Sequence, residues 1–95
     1  MFTEQSLQKA KTDLFNITSN LAMQDYLQAN YKNGKRKSKK HIPYTLSDET
    51  ERALSLYKIT CQDITDITLD QEEEIKGFLL PFRTARTEYL EAKEV

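Results

Sequence analysis

The feature that most constrains this chain is the spacing of its apolar residues, which recur every three or four positions in three blocks. Alternating intervals of three and four place side chains on one face of an α-helix. The 95 residues include only two glycines and two prolines, too few for an all-β sandwich, which needs a turn every ~8–12 residues. The pattern predicts an all-α fold with three helices in a single domain, residues 1–95.

The first block predicts a helix over residues 3–33. Thr3 is a suitable N-cap, and Glu4 in the first turn complements the helix dipole. Asn33 and Gly34 form a stop signal, because both residue types tolerate the left-handed conformation that ends many helices. Two adjacent apolar stripes form the broad face of a bundle helix, and they consist of Leu7, Ala10, Leu14, Ile17 and Leu21 in one and Phe15, Ala22, Tyr26 and Ala29 in the other.

The second block predicts a helix over residues 46–66. Thr45 or Ser47 is its expected N-cap, and acids fill its first turn, where they suit the helix dipole. β-Branched residues between 59 and 68 weaken the far end of this helix. A short strand there is the alternative prediction.

The third block predicts a helix over residues 69–93. Thr68 and Gln71 fit the capping-box pattern at its start. The apolar stripe of this helix consists of Ile75, Phe78, Leu79, Phe82, Ala85, Tyr89 and Ala92. Pro81 lies within this stripe, and its ring would clash with the carbonyl of Gly77. Because the stripe continues unshifted beyond the proline, a kink is expected here rather than a break.

These three helices predict a helical hairpin packed with a third, Pro-kinked helix in a small bundle. A first helix of ~30 residues is ~45 Å long, and a second helix of roughly 20 residues cannot cover it. We expect the remaining apolar surface to dock on another copy of the chain or on a larger protein partner. The candidate interface residues are Phe15, Ala22, Met23, Tyr26, Leu27, Tyr89 and Leu90.

Charge is unevenly distributed, although the formal net charge is only −1. Residues 32–41 contain six bases and no acid, whereas residues 42–95 contain six bases and twelve acids. Within the linker over residues 32–44, the run 32–41 should therefore be a mobile, exposed loop, because its charges repel and it contains no apolar side chain to anchor it. Such runs commonly bind polyanions by releasing counterions. The candidate residues for binding nucleic acid or nucleotide phosphate are Lys32, Lys35, Arg36, Lys37, Lys39, Lys40 and Tyr44.

The surroundings of this linker leave its role open. Tyr31 and Tyr44 flank it and could stack on a nucleobase, and the N-terminus of the second helix offers N–H groups to a phosphate. The acids at the start of that helix would repel the same phosphate. The alternatives are a solubilising loop, or a loop that pairs with the acidic C-terminal half of a neighbouring chain.

No combination of side chains in the sequence fits an enzyme. The single histidine, His41, lies in the linker and is expected to be solvated, while Cys61 lies on a helix as a small buried thiol. A structural zinc site needs four Cys or His ligands. Acids between residues 63 and 74 lack the spacing of a calcium loop and predict a solvated corner. We expect no catalytic residue, no metal and no cofactor.

The sequence therefore predicts a non-enzymatic interaction or regulatory protein that docks helix faces, with polyanion binding through residues 32–41 as the alternative. In general style it resembles small bacterial or phage-encoded regulators and inhibitors, although no motif identifies a family. No apolar run approaches the ~20 residues of a membrane span, and the N-terminus lacks the layout of a signal peptide. A cytoplasmic protein without membrane contact is expected.

Overall fold

The computed structural model describes residues 1–40 and 42–93. Helices make up 74% of the structure, and a small two-stranded sheet accompanies them, so the fold is mostly helical rather than purely α. In chain order the elements are α1 (Glu4–Asn30), β1 (Tyr31–Lys32), β2 (Lys35–Arg36), α2 (Asp48–Thr60), a 3-10 turn (Ile64–Asp66) and α3 (Leu69–Lys93).

The hydrophobic core lies where the first half of α1, the middle of α2 and the first half of α3 meet. The core side chains of α1 and α3 come from the predicted apolar faces, whereas the face predicted for the second helix included Ala53 and Leu54 but not the buried Leu56. Each core side chain is at most 2% exposed. Helix α1 packs mainly against α2 and more sparingly against α3. The buried cluster consists of Ala10, Leu14, Leu56, Ile75 and Leu79.

Side-chain caps begin all three helices as the sequence predicts. Thr3 caps α1. Of the two candidates for α2, Ser47 is the cap, because its Oγ accepts the N–H of Thr50 at 3.3 Å. At α3, Thr68 Oγ1 accepts the Gln71 N–H and Gln71 Oε1 accepts the Thr68 N–H, both at 3.1 Å. This reciprocal pair satisfies two backbone donors that the helix itself cannot.

The first helix ends at Asn30 rather than at residue 33. Asn33 and Gly34 have φ angles of 53° and 78°, so the expected left-handed conformation is present, but it serves a different structure. Positive φ at both central residues is what a type I′ turn requires. The Asn-Gly pair therefore joins β1 to β2 in a hairpin instead of ending the helix.

The second helix is also shorter than the predicted span of 46–66. It ends at Thr60, whose hydroxyl donates to the carbonyl of Tyr57 at 2.6 Å. The β-branched segment continues as the 3-10 turn Ile64–Asp66, so within the described residues neither a longer helix nor the alternative strand forms there. Cys61 consequently caps the helix and is exposed, which corrects the expectation of a buried thiol.

Pro81 lies inside α3, which is assigned as one helix from Leu69 to Lys93. A Cβ added at Gly77 would meet no atom within 4 Å, so the turn before the proline has open space beside it. The bend itself remains a prediction.

The arrangement of the helices is more open than the predicted small bundle. The radius of gyration is 16.3 Å and the principal extents are 48 × 40 × 17 Å. A compact domain of this length would have a radius of gyration of about 12 Å. Among the described residues, no helix is both long and apolar enough to cross a bilayer.

Candidate functional site

The basic segment forms a β-hairpin rather than the unanchored loop that the sequence predicts. Tyr31 pairs with Arg36, and Lys32 pairs with Lys35. Residues directly opposite one another in an antiparallel pair project to the same face, and neighbours along a strand project to opposite faces. Lys32 and Lys35 therefore lie side by side on one face of the hairpin.

No acid among the described residues balances this lysine face. Like charges directly opposite one another destabilise a strand pair, by up to about 1 kcal/mol. Lys39 and Lys40 add exposed charge beyond the second strand. Within residues 1–40 and 42–93, no acid lies in ion-pair distance of these four lysines, and the ion pairs present involve Arg52, Lys76, Arg83 and the chain's terminal ammonium.

The buried side chain of Asn30 closes the base of the basic segment. It is 1% exposed. Its Oδ1 accepts the N–H of Ile42 at 2.6 Å, and its Nδ2 lies 3.4 Å from the Ile42 carbonyl and 3.2 Å from the Tyr26 carbonyl. One amide thus joins the end of α1 to the chain twelve residues later. Sequence reasoning missed Asn30; the available signal was a polar residue one helical turn after Tyr26, beside the apolar stripe.

Lys37 and three tyrosines hold the hairpin against α1. The backbone N–H of Lys37 donates to the Asn30 carbonyl at 2.8 Å, and its Nζ donates to the Gln28 carbonyl at 2.9 Å. Candidate residue Lys37 therefore anchors the hairpin. The ring of Tyr26 packs edge-on against Tyr31 at 6.5 Å and against Tyr44 at 5.9 Å between centroids. Both tyrosines that the sequence suggests could stack on a nucleobase thus contact a third tyrosine, and Tyr44 remains 43% exposed.

Asp25 occupies the start of α2, where the sequence suggested a phosphate could bind. Its Oδ2 accepts the Ser47 N–H at 3.0 Å and the Thr50 hydroxyl at 2.7 Å. These two hydrogen bonds, the one from the Ser47 backbone first, lower the pKa of Asp25. An open groove of about 630 Å³ runs beside it, between α1 and residues 43–47. A carboxylate in this position disfavours a phosphate, so the groove does not extend the basic surface.

We expect Asn30→Ala to lower the free energy of unfolding by about 1–3 kcal/mol, because the partly buried backbone groups of Ile42 lose their partner. Equilibrium unfolding in urea measures this change. Amide hydrogen exchange in residues 32–40 should accelerate as well. Asn20→Ala is the control, since Asn20 lies exposed on the same helix. Equal stability of the two variants would contradict the role assigned to Asn30.

The seven candidate interface residues fall into two groups. Ala22 and Tyr26 are half-buried. The others are exposed, although Phe15 also packs on the ring of Tyr57 at 5.9 Å between centroids. The exposed group consists of Phe15, Met23, Leu27, Tyr89 and Leu90.

The apolar face of α3 is covered only in its first half. Ile75 and Leu79 are buried, whereas Tyr89 and Leu90, which continue the same face at helical spacing, are 64% and 50% exposed. The guanidinium of Arg83 pairs with Asp13 of α1 at 3.1 Å, and every described residue of α3 beyond it is exposed. A helix of this length extends about 37 Å, which exceeds what α1 and α2 cover.

Two further exposed leucines are not among the interface residues that the sequence predicts. Leu69 and Leu80 are 62% and 64% exposed, and their spacing of eleven residues places both on another face of α3. That spacing was the available signal. Leu79, the neighbour of Leu80, lies on the apolar stripe and is buried.

The acids between residues 63 and 74 are exposed as the sequence predicts, with one exception at the start of α3. Glu72 is buried, 5% exposed, and its carboxylate lies 2.8 Å from Lys76 Nζ. Lys76 lowers the pKa of Glu72, chiefly through this hydrogen bond. Within the described parts of the chain, no group of three or more His, Cys, Asp or Glu side chains could hold a metal ion. His41, expected to be solvated, lies outside the described residues.

No protein-family model matches this chain, and neither a curated protein nor a solved structure shows significant similarity to it. Its function has to be inferred from its own residues. Two surfaces of the described chain stand out, namely the distal half of α3 and the basic hairpin.

Proposed function

We propose that this chain is a non-enzymatic interaction protein that docks the distal half of α3 onto a second copy of itself. The observation that supports this function is the uncovered continuation of the core face. Ile75 and Leu79 are buried on that face, yet Tyr89 and Leu90 are exposed on it. Covering two large side chains with apolar surface stabilises a complex by about 25 cal/mol for each Å² removed from water.

The open shape of the chain also favours a partner. Short chains bury a smaller fraction of their surface than long ones, and here six hydrophobic residues make up the fully buried core of the described chain. The radius of gyration of 16.3 Å exceeds the compact value of about 12 Å. Association with a partner would bury additional apolar surface that the single chain leaves exposed.

Charge makes a second copy the preferred partner of this helix end. Residues 84–93 contain the bases Arg86 and Lys93 and the acids Glu88 and Glu91, so the segment has no net charge. Two copies of it can approach without net repulsion. Homodimers with two-fold symmetry use the same patch on both subunits, and such a contact would bury Tyr89 and Leu90 of each copy.

Sedimentation velocity over a range of protein concentrations tests this proposal. We expect a mass of twice 11.1 kDa for the chain. The double variant Tyr89→Glu/Leu90→Glu should sediment as a monomer, because each docked face would then bury unpaired carboxylates.

Leu80→Glu is the matched control, because Leu80 is an equally exposed residue on another face of α3. It should keep the wild-type mass. A monomeric wild-type chain at every concentration, or a double variant that keeps the dimer mass, would overturn docking on a second copy.

A further inference from the structure

The hairpin concentrates positive charge on a surface that no described acid of its own chain neutralises. The strand register places Lys32 directly opposite Lys35, and Lys39 and Lys40 follow in the exposed segment after β2. No described acid forms an ion pair with these four lysines. Like charges held opposite one another do not stabilise the hairpin, so the arrangement favours a ligand of opposite sign.

This charged surface is held in place before any ligand binds. Asn30 closes the base of the segment through its hydrogen bonds to Ile42, and Lys37 holds the second strand against α1. The Asn-Gly turn has the backbone conformation of a tight hairpin. A preformed surface loses less conformational entropy on binding than a mobile loop does.

The chemistry of the segment selects a polyphosphate rather than an acidic protein. Residues 32–40 contain no apolar side chain, and tight protein interfaces depend on buried aromatic or apolar anchors. A row of lysines suits the nucleic-acid backbone, where the release of condensed counterions supplies the affinity.

The tyrosines next to the hairpin favour double-stranded over single-stranded nucleic acid. Proteins that bind single strands stack the bases on free aromatic faces. Here Tyr31 is half-buried, and both Tyr31 and the 43% exposed Tyr44 already pack edge-on with Tyr26. A two-stranded ribbon also fits the major groove of a duplex. We propose that the basic hairpin is a binding site for the phosphate backbone of duplex DNA, without sequence preference.

Fluorescence anisotropy with a labelled 20-base-pair DNA duplex of mixed sequence tests the site. If the four lysines each neutralise one phosphate, the log–log slope of affinity against NaCl concentration is about −3.6. Affinity then falls about 150-fold between 50 and 200 mM NaCl. An unlabelled duplex of another sequence should compete equally well.

The double variant Lys32→Gln/Lys35→Gln should reduce the slope to about −1.8, with only about a 12-fold loss of affinity over the same salt range. Lys9→Gln/Lys58→Gln is the control, because it removes the same charge from exposed positions on α1 and α2. Sedimentation should give the same mass for the wild-type chain and both lysine double variants. A change in DNA binding is then independent of the α3 contact.

Several results would overturn the site. The first is undetectable duplex binding at 50 mM NaCl, and the second is an equal change of slope in the control variant. The third is competition by polyglutamate that equals competition by unlabelled DNA at the same concentration of negative charges. The last result would assign the surface to an acidic protein.

Discussion

Leu14→Ala is expected to lower the free energy of unfolding by about 2–5 kcal/mol. Leu14 has no exposed surface and packs in the cluster formed with Leu56, Ile75 and Leu79. The substitution removes buried methyl groups and leaves a cavity that the surrounding side chains fill only in part. Because a chain of this length has a total stability of about 5–14 kcal/mol, the variant should lose a large fraction of it.

Equilibrium unfolding in urea measures this effect as a lower midpoint with an unchanged slope. Leu80→Ala is the matched control, since it makes the same chemical change at a residue that is 64% exposed. It should alter stability by no more than about 0.5 kcal/mol. If Leu14→Ala and Leu80→Ala unfold at the same urea concentration, α1 does not pack as described.

Pro81→Ala is expected to raise the free energy of unfolding by up to about 3 kcal/mol. Pro81 is exposed inside α3, so truncating its ring leaves no cavity. Alanine restores the backbone N–H that proline lacks and removes the clash of the proline ring with the carbonyl four residues earlier. The expected result is a higher urea midpoint and stronger helical circular dichroism.

Pro43→Ala provides the comparison, because Pro43 is also exposed but precedes α2 outside any helix. Alanine there increases the conformational freedom of the unfolded chain, so stability should stay the same or fall by up to about 1 kcal/mol. An unstabilised Pro81→Ala variant would mean that α3 already accommodates the proline without cost, and the predicted kink would then lose its physical basis.

The turn of the basic hairpin has a local sequence signal that fits two different structures. The sequence indicates a left-handed conformation at Asn33-Gly34, and both φ angles are positive. That conformation suits a helix end and a type I′ turn equally well. In the structure α1 ends at Asn30, whose amide binds Ile42 twelve residues away. A contact at that separation leaves no periodic trace in the sequence.

The two ends of α3 differ for a similar reason. The sequence predicts one apolar stripe from Ile75 to Ala92, and the helical spacing continues throughout. The packing of α1 and α2, which includes the ion pair of Asp13 with Arg83 across seventy residues, determines that the first half is buried and the second half exposed. Periodicity identifies a face, but it does not show what covers that face.

The sequence alone determined the three helices, their caps and the position of the excess positive charge. These features depend on residues within about one helical turn of each other, where propensity, capping and spacing act directly. The tertiary structure decided where α1 and α2 end, that the basic segment is an anchored hairpin, and which part of α3 is exposed. Those outcomes depend on contacts between residues far apart in the chain, because burial and loop closure are properties of the packed structure.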